Sequence, residues 1–216
     1  MLLSWYIGYR LKKKFKEYAT IAVTGNLSGG EIAEKMLRDN GISDVKVTSV
    51  EGELTDHYNP ITKTVNLSEG VFTGRHIAAA AVAAHECGHA VQHAQAYAFL
   101  MMRSKLVPIV SFASTWLQWI MLAGVLLIGV FPQLLAFGII LFALTTIFSI
   151  ITLPVEIDAS RRALVWLDNS GIASPEAQEK AKDALKTAAY SYVVAALASL
   201  ATLAYYIMIF LGGRRN

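Results

Sequence analysis

A chain of 216 residues, 55% of them hydrophobic and with a mean hydropathy of +0.45, is more apolar than an ordinary soluble domain, so bilayer-crossing helices are to be sought. Lys and Arg number 19 against 16 acids; a net charge of +3 with no basic stripe interleaved with aromatics excludes a nucleic-acid partner. The single cysteine, Cys87, excludes an intramolecular disulfide framework and a Cys-pair zinc knuckle.

The first segment, MLLSWYIGY, is too short to span alone and is followed by Arg10, Lys12, Lys13, Lys14 and Lys16. A secretory signal carries its basic residues before the apolar run, not after it. Trp5, Tyr6 and Tyr9 suit the headgroup level, and residues 1–18 are expected to form an interfacial membrane anchor.

Residues 19–105 read as a small α+β portion. Ser28-Gly29-Gly30-Glu31 has the form of a capping box, the apolar residues Ile32, Ala33, Met36 and Leu37 recur at helical spacing, and Asn40-Gly41 closes the helix. VKVTSV, residues 45–50, alternates as a strand does. DHYNPITKTVNLS, residues 56–68, reads as a hairpin or an edge strand around an Asn59-Pro60 turn.

HIAAAAVAAHECGHAVQHA, residues 76–94, then holds four of the five histidines. The alanine run is helical. On a helix, residues four apart lie about 40° apart around the axis and about 6 Å along it, so the imidazoles of His85 and His89 reach one tetrahedral Zn²⁺. Glu86 projects beside them, placed to take a proton from a water activated by the zinc and to deliver it to a leaving amine. That is the chemistry of a zinc peptidase. Cys87 points roughly 200° away from His85 and is expected to be a small packing residue.

A catalytic zinc needs a third protein ligand. His93 shares the face, but residues eight apart are roughly 12 Å apart along a straight helix, so it is expected to pack, to line the cleft or to act behind the ligands. The metzincin spacing would require a histidine where Gln95 stands. Two charge-free runs follow, residues 106–130 and 134–155, separated by Phe131-Pro132-Gln133 and expected to form a transmembrane hairpin across 106–155. Glu156 and Asp158 stand just beyond it. Two spans return the chain to the side it left, which brings Glu156 to the histidine helix as the candidate third ligand, with Asp158 as a candidate partner for a ligand imidazole. Residues 156–187 are the third-ligand helix and a polar connection. The charge-free run 188–213 is the last span, with Ala195, Ala196, Ala198, Ser199 and Ala201 as its packing face and Arg214-Arg215 behind it, completing 188–216.

Together AVAAHECGHAVQHA, SGGEIAEKMLRDNGI, DHYNPITKTVNLS and LPVEIDASRRAL resemble the YugP-like membrane-associated neutral zinc metallopeptidases, in the expected order and over nearly the whole chain. The resemblance implies a mainly α membrane protein, a transmembrane helical hairpin and a C-terminal transmembrane helix with a small α+β zincin-like catalytic portion. It also implies a gluzincin-type site in which His85, His89 and Glu156 bind Zn²⁺ and Glu86 is the catalytic base. In similar gluzincins an edge strand pairs with extended substrate, which nominates Thr64, Val65 and Asn66. His57 or Tyr58 would steady the oxyanion if they are not simply structural. One departure is the N-terminus, where the family has a fuller membrane helix than MLLSWYIGY.

The expected function is a membrane-tethered zinc endopeptidase whose partners are a peptide or protein substrate and the lipid bilayer. A non-catalytic zinc-binding scaffold and an intramembrane site-two-type protease are the alternatives; against the latter, the apolar run 77–84 is too short to span and no Asp-Gly ligand motif follows. Arg10, the nearby lysines, Arg103, Lys105, Arg161 and Arg162 all flank the catalytic side, which predicts a cell-membrane protein with that side cytoplasmic. Arg161 and Arg162 are otherwise expected to do no more than flank a span. Nothing in the chain signals oligomeric state.

Overall fold

Residues 2–213 are described by the computed structural model; Met1 and the Arg214-Arg215 pair expected behind the last span lie outside them. The described residues are mainly helical with one small three-stranded sheet. It divides into two compact units, one of residues up to Leu100 with Val155–Ser191, the other of Met101–Pro154 with the chain from Tyr192 on.

The first unit opens with α1, Leu2–Tyr18, whose Trp5, Tyr6 and Tyr9 are exposed. In α2, Gly29–Asp39, the capping box forms as its residues predict: the Ser28 hydroxyl accepts from the Glu31 amide at 3.3 Å and the Glu31 carboxylate accepts from the Ser28 amide at 2.6 Å. Ile32, Ala33, Met36 and Leu37 are its buried stripe. Gly41 follows at φ 69°, the left-handed conformation that ends a helix most easily at glycine.

Strand β1 is Lys46–Val50, β2 His57–Asn59 and β3 Thr64–Ser68. The Asn59 side chain accepts from the amides of Ile61 and Thr62, and this turn folds β2 back antiparallel to β3. β3 also pairs in parallel with β1, so the order is β1-β3-β2. The nomination of Thr64, Val65 and Asn66 as a substrate edge is thereby corrected. They lie on the central strand, whose two hydrogen-bonding edges are both occupied, and the outer edges belong to β1 and β2. Val65 and Leu67 point into the core, where α2 and α4, Ile77–Ala94, pack. α4 is buried along almost its whole length, which explains the alanines: neighbours approach from every side and large side chains would hold them off.

Among the described residues three helices are long and apolar enough to cross a membrane: α5, Ala98–Leu126; α6, Pro132–Asn169; and α7, Pro175–Gly213. Their limits differ from those of the charge-free runs. α6 does not end at residue 155 but passes through Pro154 and on to Asn169, and α7 starts well before residue 188. Charge marks where lipid could end, not where backbone hydrogen bonding ends, and an interior proline removes only one donor. Pro132 is the first residue of α6, where its missing N–H has no intrahelical partner to lose. In the second unit, Gly124 of α5 lies against the backbone of Leu135 of α6, and the hydroxyls of Thr146 and Ser199 hydrogen-bond at 2.7 Å. The packing face of α7 is narrower than expected. Ala196 is buried and Ser199 half-buried, whereas Ala195, Ala198 and Ala201 are exposed.

Candidate metal centre

The centre is built from two helices of the first unit. His76 starts α4 by accepting the Ala79 amide on its Nδ1 at 3.2 Å, a capping role that the concentration of histidines had concealed. Two turns on, the rings of His85 and His89 stand edge to face with centroids 4.9 Å apart.

Glu156 comes to them from α6. Its Oε2 lies 3.2 Å from Nε2 of His85 and 3.6 Å from Nε2 of His89. These ligand atoms lie within 4.8 Å of one another, and among the described residues they form the group able to hold a metal ion. Tetrahedral ligand atoms about 2.1 Å from a zinc ion stand about 3.4 Å apart, so the spacing fits that ion. Glu156 is 2% exposed and His89 7%. Burying a carboxylate to that extent requires compensating partners, and the two imidazoles provide them.

Close helix contact makes this possible. Gly88, one turn beyond His85, lies against the carbonyl of Ala159, one turn beyond Glu156, and both leave the backbones of α4 and α6 almost in contact. Any side chain at residue 88 would separate the helices that carry the donor atoms.

Gln92 was not singled out from the sequence, although it lies three residues after His89 on the same helical face. It is fully buried. Its Nε2 donates to the Val155 carbonyl at 2.8 Å and to Asp158 Oδ2 at 2.9 Å, both pure acceptors when Asp158 is ionised, so its Oε1 must be the atom 3.0 Å from Nδ1 of His89. That Nδ1 therefore carries a proton, and the Nε2 facing Glu156 presents its lone pair when His89 is neutral. Ser160 Oγ occupies the equivalent place 3.1 Å from Nδ1 of His85. Its hydroxyl can donate or accept and does not fix the tautomer.

Asp158 is accordingly one step farther from the imidazoles than expected. Its described contacts are with Gln92, which it holds, and with Arg161 at 2.8 Å and Arg162 at 2.5 Å, which bind it in turn. The two arginines are thus not merely flanking charges. Arg162 also donates to Gln95 at 2.6 Å, tying the end of α4 to α6.

His93 turns to the sheet, where its Nδ1 is 2.7 Å from the Tyr58 hydroxyl. His57 contacts the Thr55 carbonyl and Asn66. The described contacts of His57, Tyr58 and His93 therefore involve none of the three converging donors. Cys87 is buried with Sγ 3.5 Å from the Ala33 carbonyl, and burial pushes its thiol pKa up. Glu86 is buried, 8% exposed. Burial disfavours charge on His89, but the hydrogen bond and charge of Glu156, with the charge of Glu86, outweigh it and raise the imidazole pKa.

Residues 1–211 match the family described as "Putative neutral zinc metallopeptidase". The chain is similar to the "Putative membrane protease YugP" of Bacillus subtilis (strain 168), 42% identical over 212 residues that cover 98% of this chain and 93% of that relative. No solved structure matches it.

Proposed function

The chain belongs to the neutral zinc metallopeptidase family, and from that premise we propose that it is a membrane-tethered endopeptidase that hydrolyses peptide bonds within protein substrates. The observation that carries this reading is the meeting of His85, His89 and Glu156 at the spacing of tetrahedral zinc ligands. These three would hold Zn²⁺, which when bound makes water acidic enough to attack near neutral pH and polarises the scissile carbonyl.

The protein's own groups supply the rest. Glu86 is the base that takes the proton of the attacking water and returns it to the leaving nitrogen. Gln92 keeps the proton of His89 on Nδ1, and Asp158 with Arg161 and Arg162 keeps Gln92 in place. Burial of His89 and Glu156 excludes competing water from the ligand atoms.

The long apolar helices and the similarity to a relative named as a membrane protease support a membrane location. The cationic residues of α1 and at the start of α5 support a cytoplasmic catalytic side. Against the intramembrane alternative, α4 packs among α2, the sheet and α1 and is not among the three helices able to cross.

The decisive experiment measures zinc content and cleavage on the same reconstituted preparation. Glu86→Gln is expected to keep zinc and to lose cleavage of an unfolded protein substrate by at least about 100-fold. Normal cleavage by that variant would refute the mechanism, and a wild type that holds zinc but cleaves nothing would favour the scaffold. Internal fragments, rather than released terminal residues, identify an endopeptidase.

A further inference from the structure

A second site lies away from the metal centre, where α1 meets the polar first part of α7. Tyr6, Arg10, Lys14, Lys186, Thr187 and Tyr190 line a groove of about 350 Å³. That volume lies within the range of about 300–1,000 Å³ usual for small-ligand clefts.

Its charge is unbalanced. Asp183 is the acid of the groove, and its Oδ2 is already bound by Lys14 Nζ at 2.6 Å and by the Tyr18 hydroxyl at 2.5 Å. Lys14 also donates to Thr187 at 3.0 Å, so it is held in place. Arg10 and Lys186 form no ion pair with a carboxylate among the described residues. Each lies instead 6.0 Å from the ring centroid of a groove aromatic, Arg10 over Tyr6 and Lys186 over Tyr190. Two cations, two phenol hydroxyls and a small cleft make a receptor for a compact anion with several acceptor oxygens.

Depth identifies its source. Lys186 is the last charged residue before the uncharged run 188–213, and Thr187 marks the change. Tyr190 and Tyr192 at that change, like Trp5, Tyr6 and Tyr9 on α1, are exposed aromatics of the type that occupy the headgroup layer. Basic pockets at this level suit anionic lipid headgroups. We propose that the α1/α7 groove binds the phosphate headgroup of an anionic phospholipid, with Arg10 and Lys186 as its phosphate-facing cations. The inference rests on the membrane part of the proposed function and is independent of its catalytic part.

The test uses the full chain reconstituted in phosphatidylcholine containing a minor share of phosphatidylglycerol, with retained lipid counted by native mass spectrometry. Arg10→Gln/Lys186→Gln is expected to lower retained phosphatidylglycerol at least about fivefold, whereas Lys12→Gln/Lys13→Gln, equal in charge but outside the groove, lowers it less than about twofold. Equal losses in the two pairs would overturn the site, leaving only diffuse attraction of a basic helix. Tyr6→Ala/Tyr190→Ala keeps every charge and is expected to lower retention about threefold; unchanged retention there would remove the cleft as its basis. Displacement of the lipid by millimolar inorganic phosphate would overturn the lipid assignment in favour of a soluble phosphate. Zinc content and substrate cleavage, measured on the same samples, separate failure of this site from failure of the peptidase reading.

Discussion

Gly88 of α4 lies so close to Ala159 of α6 that a Cβ on Gly88 would stand 2.6 Å from the Ala159 carbonyl oxygen. Real Cβ atoms do not sit that near backbone, so one of the two helices has to move. Because His85 and His89 are on one helix and Glu156 on the other, the width of this contact sets the spacing of the donor atoms. Gly88→Ala is therefore expected to destabilise the protein by about 1–3 kcal/mol and to weaken zinc binding at least about tenfold. Chelator competition and thermal unfolding check the two effects separately. Unchanged zinc affinity would mean that helix approach does not set the site.

Removing the carboxylate itself should act more directly. Glu156→Gln is expected to lower zinc affinity by more than the 10–100-fold typical of losing an outer partner, whereas His93→Ala, whose imidazole bonds Tyr58, should stay within about twofold of wild type. A zinc-free His93→Ala protein beside a zinc-replete Glu156→Gln protein would reverse the choice of third ligand.

Gln92 joins His89 to Asp158 and to the Val155 carbonyl. Gln92→Leu keeps most of the volume but leaves buried polar groups without partners, a loss of about 1–3 kcal/mol in stability. It also frees His89 to adopt the other tautomer, so zinc affinity should fall about 10–100-fold. Histidine NMR of the zinc-free variant reports the tautomer, and an unchanged Nδ1–H would contradict the role given to the amide.

The zinc-free protein should show a pH dependence of its own. The pKa of His89 in the folded state is raised above its ordinary 6.5. A raised folded-state value means that protonation favours the fold: the contribution is complete below the unfolded pKa and is lost as pH rises through the folded one. Urea unfolding of chelator-treated protein should thus show stability from this group declining above pH 6.5, while zinc affinity increases over the same interval because protons and metal compete for the imidazole. Stability of the zinc-free form that rises through this window would contradict the assignment.

Features encoded locally could be read from the chain. The capping box at Ser28 and Glu31, the turn at Asn59, the paired histidines and the charge-free runs each depend on residues a few positions apart. Strand order does not. That β1 inserts beside β3 and leaves it central depends on pairing between strands separated in the chain by β2, and alternation along one strand carries no record of its neighbours. The continuity of α6 through Pro154 was hidden for another reason: its first part is selected for apolarity and its last part for packing on α4, so composition changes while the backbone does not. Glu156 could be proposed because two apolar runs return the chain to the side of the histidine helix just before it. Gln92 and Ser160 could not, because an amide or a hydroxyl near a histidine is common and only their buried partners mark them out.

The environment of Cys87 gives the molecule an intrinsic reporter. The chain contains one thiol, and it is sealed between α4 and α2 with its ionisation suppressed by burial. An alkylating reagent can reach it only when these helices part, and only the thiolate reacts. Under conditions where labelling is faster than reclosure, the rate of its modification measures the opening of the first unit itself, with no probe to be introduced. Bound zinc should slow that opening, making the lone sulfur a clock for metal occupancy.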